Sequence, residues 1–149
     1  MTASLTHPAF SPDGRWLAYV STESGSQAVY VQAFPGPGEK IRISNSGGSS
    51  PAWAANGKEL FYQQRVEPIS RIFAVDIDTS KGFEAGKPRL LFEGPYQLNG
   101  PMRGYDVTPD GEHFVLMRQS AELPREEPFT QMHVVLNWTE ELKRRVPVE

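Results

Sequence analysis

The segment His7-Pro-Ala-Phe-Ser-Pro-Asp-Gly14 has two counterparts further along the chain, Ser50-Pro-Ala-Trp-Ala-Ala-Asn-Gly57 and Gly104-Tyr-Asp-Val-Thr-Pro-Asp-Gly111. Each ends in Asp-Gly or Asn-Gly and leads into a short apolar stretch, a pattern typical of β-hairpins. Glycine in that pair supplies a positive φ, and the Asp or Asn before it hydrogen-bonds the local backbone. The repeat therefore predicts three hairpins, with second strands over Arg15–Ser21, Lys58–Gln64 and Glu112–Arg118.

Further strands are predicted after each hairpin. A third strand aligns in all repeats, over Ala28–Phe34, Arg71–Ile77 and Met132–Trp138, and a fourth is predicted only over Glu39–Ser44 and Pro88–Phe92. Four-stranded units of this length are typical of β-propeller blades. We therefore expect an all-β fold with three blades, at about residues 7–44, 49–92 and 103–138, and a short helix at about 139–146 that Pro147 ends.

These segments resemble the TolB-type, WD40-like (PD40) propeller repeat over roughly residues 7–147. The ending Val134–Pro147 resembles the end of the propeller found at the carboxyl end of many bacterial serine/threonine kinases and winged-helix regulators. The sequence itself contains neither an H-R-D nor a D-F-G kinase segment. The resemblance thus implies a TolB-like propeller fold, but it indicates little about function.

Three blades do not close a ring, because propellers need about four to eight. Two copies would supply six, the number usual for TolB-like propellers, so we expect a two-fold homodimer around the central channel. Residues Thr2–Leu5 of the partner chain would then supply the missing fourth strand of the last blade. The alternative is a truncated piece of a propeller that does not close.

Composition excludes several classes of protein. The 149 residues carry 15 basic and 18 acidic side chains and no cysteine. This balance argues against a nucleic-acid partner, and the lack of cysteine excludes disulfides and thiolate sites. Neither a signal peptide nor an apolar run long enough to span a bilayer is visible, so we expect no membrane partner and a cytoplasmic location for the chain as written. A longer parent protein could be membrane-associated or periplasmic.

The beginning of each innermost strand lies at the channel mouth of a propeller. The alignment brings Thr6, Gly104 and most of the candidate binding residues to this mouth. The loops between second and third strands open on the same side and contribute Glu23 and the acidic stretch Glu122–Glu127. The predicted ligand-binding residues are His7, Glu23, Ser49, Ser50, Arg103 and Tyr105. Since no catalytic motif is present, the first interpretation is a non-catalytic binding module for a protein, peptide or small-molecule ligand.

The alternative is a small metal-dependent hydrolase of the phosphotriesterase, lactonase or arylesterase type. Two His7 imidazoles would meet at the dimer axis, with Tyr105, Asp106 or Glu23 as oxygen donors. Such groups suit a divalent ion (Zn, Ca or Mn) that polarises a carbonyl or phosphoryl oxygen. His7, Tyr105 and Asp106 are then the candidate catalytic residues, and His7 is the candidate metal ligand. The simpler interpretation is that His7 lines a wet channel.

The remaining conspicuous residues are predicted to be structural. Trp16 and Trp53 belong to the aromatics expected to pack the core and the contacts between blades. Asp76 and Asn137 occupy equivalent positions on the predicted third strands, and His113 and His133 also lie on predicted strands. We expect all of them to have local packing or hydrogen-bonding roles.

Overall fold

The computed structural model describes residues 4–96 and 103–116, which form strands and turns and contain no helix. The prediction of an all-β fold is confirmed. The predicted strand Met132–Trp138, the helix at 139–146, the acidic stretch Glu122–Glu127 and His133 lie outside the described residues. The observed strands are β1 Leu5–Phe10, β2 Trp16–Ser21, β3 Ala28–Ala33, β4 Ile41–Arg42, β5 Ser49–Trp53, β6 Glu59–Val66, β7 Ile69–Asp78, β8 Glu84–Ala85, β9 Arg89–Gly94, β10 Tyr105–Val107 and β11 Phe114–Leu116.

The strands form three antiparallel sheets in chain order. Sheet 1 has the order β1-β2-β3-β4. In sheet 2, β5-β6-β7 run in order, and the outer edge of the long β7 pairs with both β8 and β9. Sheet 3 comprises β10 and β11. The described residues contain no helix that could span a membrane.

The repeated turn forms the same backbone hydrogen bonds in all three hairpins, and a hydroxyl adds side-chain bonds in the first and third, where the second has Ala54. In the first hairpin the Ser11 hydroxyl donates to Asp13 Oδ1 at 2.6 Å and accepts from the Trp16 N–H at 2.9 Å. Gly14 adopts φ 70° and donates to the Ser11 carbonyl at 2.9 Å. Thr108 and Asp110 make the equivalent contacts in the third hairpin. The positive φ of the turn glycine explains why the motif ends in glycine.

The sheets pack face to face through apolar side chains. The core between sheets 1 and 2 contains Val20, Val29 and Val31 from one sheet and Leu60 and Val75 from the other. The core between sheets 2 and 3 is rich in aromatic rings, with Phe61 and Phe114 in edge-to-face contact at 5.1 Å. Because side chains alternate across a strand, sheet 2 buries both of its faces in this arrangement.

Sheet 1 is also apolar on the face that points away from sheet 2. Tyr19 lies opposite Tyr30 across β2 and β3, and their rings stack at 6.1 Å. In sheet 2, Tyr62 lies opposite Phe73 and stacks with it at 5.2 Å. The two pairs occupy equivalent repeat positions, and the pair in sheet 2 is the one packed onto sheet 1. The outer face of sheet 1 therefore carries an aromatic pair equivalent to the one that sheet 2 packs against sheet 1.

Candidate functional site

The innermost strands β1 and β5 begin with the same distortion of the backbone. His7 and Ser50 both adopt φ 52°, and both precede a proline. At each position the pairing with the next strand shifts register, between Thr6 and Ala9 in β1 and at the equivalent step in β5. A non-glycine residue in this left-handed region is strained, and such residues concentrate at functional sites. The repeat therefore places two strained residues at the starting ends of neighbouring strands.

His7 has one ring nitrogen in use and one without a partner. Its Nδ1 lies 3.0 Å from the Thr6 hydroxyl oxygen. Its Nε2 is shielded from solvent and forms no hydrogen bond within the described part of the chain. Since each nitrogen of an imidazole is a donor or an acceptor, Nε2 retains an unused capacity for hydrogen bonding or metal ligation. His7 is thus the member of the candidate site with an unpaired polar atom.

Tyr105 connects the starting end of sheet 3 to sheet 2. Its hydroxyl donates to the carbonyl oxygen of Ser50 at 2.7 Å, and both residues are buried. Burial raises the pKa of the Tyr105 hydroxyl well above its usual range, so it is a neutral donor at physiological pH. The structure thus brings Ser50 and Tyr105 together through a buried hydrogen bond.

Arg103 is a cationic group next to Tyr105. Its Nε donates to the Tyr105 carbonyl at 3.0 Å, and its terminal nitrogen lies 2.8 Å from Asp106 Oδ1. Its guanidinium carbon lies 5.8 Å from the centre of the Tyr105 ring. The Arg103 side chain remains 37% exposed and that of Asp106 72%, so both are open to a ligand.

The other predicted residues are placed differently. Glu23 forms an ion pair with Lys40 at 2.8 Å, and its backbone N–H is bonded to Ser21 Oγ. Ser49 is half-buried and lies opposite Gln63 in the β5–β6 ladder. Within residues 4–96 and 103–116, His7 forms no hydrogen bond or ion pair with Glu23, Tyr105 or Asp106. No group of three His, Asp or Glu side chains in that part of the chain could hold a metal ion.

One feature of the surface was missed by sequence reasoning. Trp16 and Trp53, assigned to packing, also line a groove of about 860 Å³ between sheets 1 and 2. The groove opens at the hairpin turns, at the end of the inner strands opposite His7. The available signal was that each tryptophan directly flanks a repeated turn, with acidic residues close by.

Comparison with solved structures identifies the fold. The chain superposes on TolB from Acinetobacter baumannii with a TM-score of 0.59 and 20% sequence identity, covering 81% of this chain and 27% of that one. A protein assigned as TolB from Agrobacterium tumefaciens gives 0.48 at 23% identity, with coverage of 60% and 33%. A protein assigned as a 6-phosphogluconolactonase from Bacteroides uniformis gives 0.49 at 18% identity, with coverage of 76% and 33%.

The chain therefore has a TolB-like β-propeller fold, as the repeat predicted. It spans about a quarter of the length of the Acinetobacter TolB chain. No protein-family model and no curated protein matches the sequence at a significant level.

Proposed function

We propose that this protein is a non-catalytic binding module whose ligand contacts the starting ends of the inner strands. The observation that carries the proposal is the strained backbone shared by His7 and Ser50, together with the unpartnered Nε2 of His7. Arg103 adds an exposed guanidinium at the same end. We call the region formed by His7, Ser49, Ser50, Arg103 and Tyr105 the mouth; His7, Ser49 and Arg103 are accessible there, and Ser50 and Tyr105 are buried. A protein, peptide or small molecule carrying hydrogen-bond acceptors would match its donors.

The likeness of the carboxyl-terminal segment to the propellers of bacterial kinases and regulators supports a sensory role. In such a protein, ligand capture by the propeller would be signalled to another domain. The TolB-like fold is consistent with this role, because propellers present loops and strand ends around a channel.

A peptide library displayed on phage tests the proposal. We expect selection against the wild-type protein to enrich peptides whose binding is lost in His7→Asn and Arg103→Ala. Asparagine tolerates the left-handed conformation, so His7→Asn should remain folded. The control is Glu39→Ala, an exposed substitution away from the mouth. Failure to enrich peptides, or enriched peptides that bind both mouth variants normally, would contradict the proposal.

We further propose that two copies complete the propeller by covering the outer face of sheet 1. Phe10 lies opposite Leu17 on that face and contacts Phe34 at 4.9 Å. Leu5, Phe10 and Phe34 remain 64%, 53% and 48% exposed. Exposed apolar patches of this kind mark protein interfaces. The occupant we propose is the free face of sheet 3 in a second copy, because this would repeat the sheet-on-sheet contact already made twice in one chain.

Sedimentation equilibrium separates this dimer from an open monomer. We expect the wild type to be dimeric at micromolar concentration and Phe10→Asp to shift it to monomer. Leu90→Asp is the matched control, because Leu90 is also 48% exposed but lies on β9 of sheet 2. A monomeric wild type, or equal effects of the two substitutions, would remove support for the closed six-sheet ring.

A metal-dependent hydrolase is the second candidate, and the unpartnered Nε2 of His7 is what favours it. In a two-fold dimer, His7 from each copy would approach the axis and share one ion. Native mass spectrometry after addition of Zn²⁺, Ca²⁺ or Mn²⁺ tests this directly. One retained ion per dimer, with hydrolysis of p-nitrophenyl acetate lost in His7→Asn and with EDTA, would favour the enzyme over the binding module.

A further inference from the structure

A second site lies between sheets 1 and 2, at the end of the inner strands opposite the mouth. It is a groove of about 860 Å³, within the range typical of ligand pockets. Its walls include the indole rings of Trp16 and Trp53 and the loop that follows β7. Trp53 is fixed by a 3.1 Å hydrogen bond from its Nε1 to the Ala9 carbonyl, which joins the two sheets. The groove is therefore built on two connected sheets rather than on a single loop.

The walls of the groove are strongly acidic. Four carboxylates and one lysine line it: Asp13, Glu59, Asp76, Asp78 and Lys58. Arg89, outside this lining, forms ion pairs with both Glu59 and Asp76. Asp13 and Asp78 form no ion pair among the described residues, although each accepts hydrogen bonds from its own turn. These bonds keep the pKa of both carboxyl groups below the usual value, so both are ionised at neutral pH.

The tryptophans add an independent sign of a ligand. Phe83 packs against Trp16 at 4.6 Å and lies 6.5 Å from Trp53, which holds both indoles in place. Trp16 Nε1 is shielded from solvent and has no hydrogen-bond partner in the described part of the chain. A buried donor without an acceptor destabilises the protein, and an acceptor on a bound molecule would satisfy it. Indole faces next to carboxylates favour a cation, above all a guanidinium.

We propose that this groove binds an arginine-containing peptide segment. The guanidinium lies against an indole face and pairs with Asp13 or Asp78, and a backbone carbonyl of the peptide accepts from Trp16 Nε1. A peptide fits better than a free amine because one molecule then supplies both a cation and a carbonyl acceptor. The site is separate from the mouth, so it stands or falls independently of the function proposed above.

Indole N–H signals in a ¹⁵N-correlated NMR spectrum provide the test. The probe is a blocked pentapeptide with two arginines, and the control probe is the same peptide with citrulline, a neutral isostere of arginine. Trp16→Phe and Trp53→Phe assign the two signals. We expect the arginine peptide to shift both signals, with that of Trp16 moving downfield on hydrogen bonding, and we expect binding to weaken as salt rises from 20 to about 300 mM.

Charge-neutral variants locate the binding site. We expect Asp13→Asn/Asp78→Asn to weaken binding about two- to fivefold for each carboxylate lost, while Asn at positions 13 and 78 keeps the acceptors for the Arg15 and Ser80 N–H groups. Glu67→Gln/Glu93→Gln removes the same charge near the opposite end of β7, where Glu93 lies across from Arg71, and should leave the affinity unchanged. Thermal melts establish that both pairs fold. If the double aspartate variant unfolds, the salt dependence and citrulline comparison on the wild type decide.

Four results would overturn the proposal. The first three are the absence of any indole shift at 10 mM arginine peptide, equal shifts with the citrulline peptide, and equal weakening by the two double variants. Free arginine shifting the signals as strongly as the peptide would show that the backbone carbonyl is not recognised, which also contradicts the proposal.

Discussion

The hydrogen bond between Tyr105 and Ser50 gives the sharpest test of how the sheets are held together. The Tyr105 hydroxyl and the Ser50 carbonyl are 2.7 Å apart, and Tyr105 and Ser50 are 4% and 3% exposed. Tyr105→Phe keeps the ring that packs against Phe61 and Phe114 but removes the donor. A buried carbonyl that loses its donor costs about 1–3 kcal/mol. With a urea dependence of about 2 kcal/mol per molar, the midpoint of unfolding should fall by about 0.5–1.5 M.

The assay is urea unfolding followed by circular dichroism, with Tyr30→Phe as the control. Tyr30 is also buried, but its hydroxyl forms no hydrogen bond with other described residues, so its loss should change the free energy of unfolding by less than about 0.5 kcal/mol. An unchanged midpoint for Tyr105→Phe, or equal losses in both variants, would show that the bond does not stabilise the contact between sheets 2 and 3.

We also expect Tyr105→Phe to change how the stability of the protein depends on pH. The pKa of Tyr105 is raised above its ordinary value of 10.0, mainly by burial. The unfolded chain therefore releases this proton first, and the contribution of the neutral hydroxyl is complete below pH 10 and is lost as pH rises toward the folded pKa. Above pH 10 the wild type should lose stability more steeply than Tyr105→Phe. Parallel curves would contradict this explanation.

Two further predictions concern the turns and the sheet contact. Hydrogen bonds within the turns, led by those from the Ser11 and Thr108 hydroxyls, lower the pKa of Asp13 and Asp110 below the ordinary 3.8. The two carboxylates therefore contribute to the stability of the fold above pH 3.8, and this contribution is lost as pH falls through the folded pKa. Thermal melts from pH 5 to pH 2 should therefore show a smaller acid-induced loss for Asp13→Asn/Asp110→Asn than for the wild type, and an equal loss would contradict this. Gly48→Ala should destabilise by about 1–3 kcal/mol, because its Cβ would lie 2.8 Å from the buried Ser44 side chain. In urea titrations Gly86→Ala, whose nearest neighbour is at 3.4 Å, is the control, and equal losses would refute the steric explanation.

The hairpins were predictable because their determinants are local. Asp-Gly and Asn-Gly pairs fix the turns through bonds within a few residues, such as that from the Lys58 N–H to Asn56 Oδ1 at 2.9 Å. The strand after the first turn was accordingly expected over Arg15–Ser21 and is observed over Trp16–Ser21. Local turn chemistry thus determines the register of a hairpin without reference to the packing between sheets.

The outer strands were less predictable because side chains replace part of their ladders. The predicted strand Glu39–Ser44 is observed only over Ile41–Arg42. The Ser44 hydroxyl accepts from the Val29 N–H at 2.9 Å, in place of a backbone carbonyl, and this ends the ladder. The strand Glu84–Ala85 is exposed and only two residues long, so it has no apolar alternation from which it could be predicted.

The candidate sites depend on tertiary structure to different extents. The alignment of repeats placed His7 and Ser50 at equivalent strand starts, but their left-handed backbone was not foreseeable, because a residue before proline normally prefers an extended conformation. The acidic groove is formed by Trp16 on one sheet and Asp76 on another, and no periodicity connects residues sixty positions apart. Alternation shows which side chains point at a neighbouring sheet, but not where two sheets separate enough to leave a cavity.

The two proposed sites lie at opposite ends of the same inner strands. His7 is the third residue of β1, which ends at Phe10 before the turn that contains Asp13, so about 10 Å of strand and part of the turn separate the mouth from the groove. Sites this far apart that share no partner should act independently, so His7→Asn should leave peptide binding in the groove unchanged and Asp78→Asn should leave binding at the mouth unchanged. An effect of either substitution on the other site would mean that β1 transmits a change between the two ends. The bulge at His7 is the place where such a change could begin, because it is where the β1–β2 ladder is already interrupted.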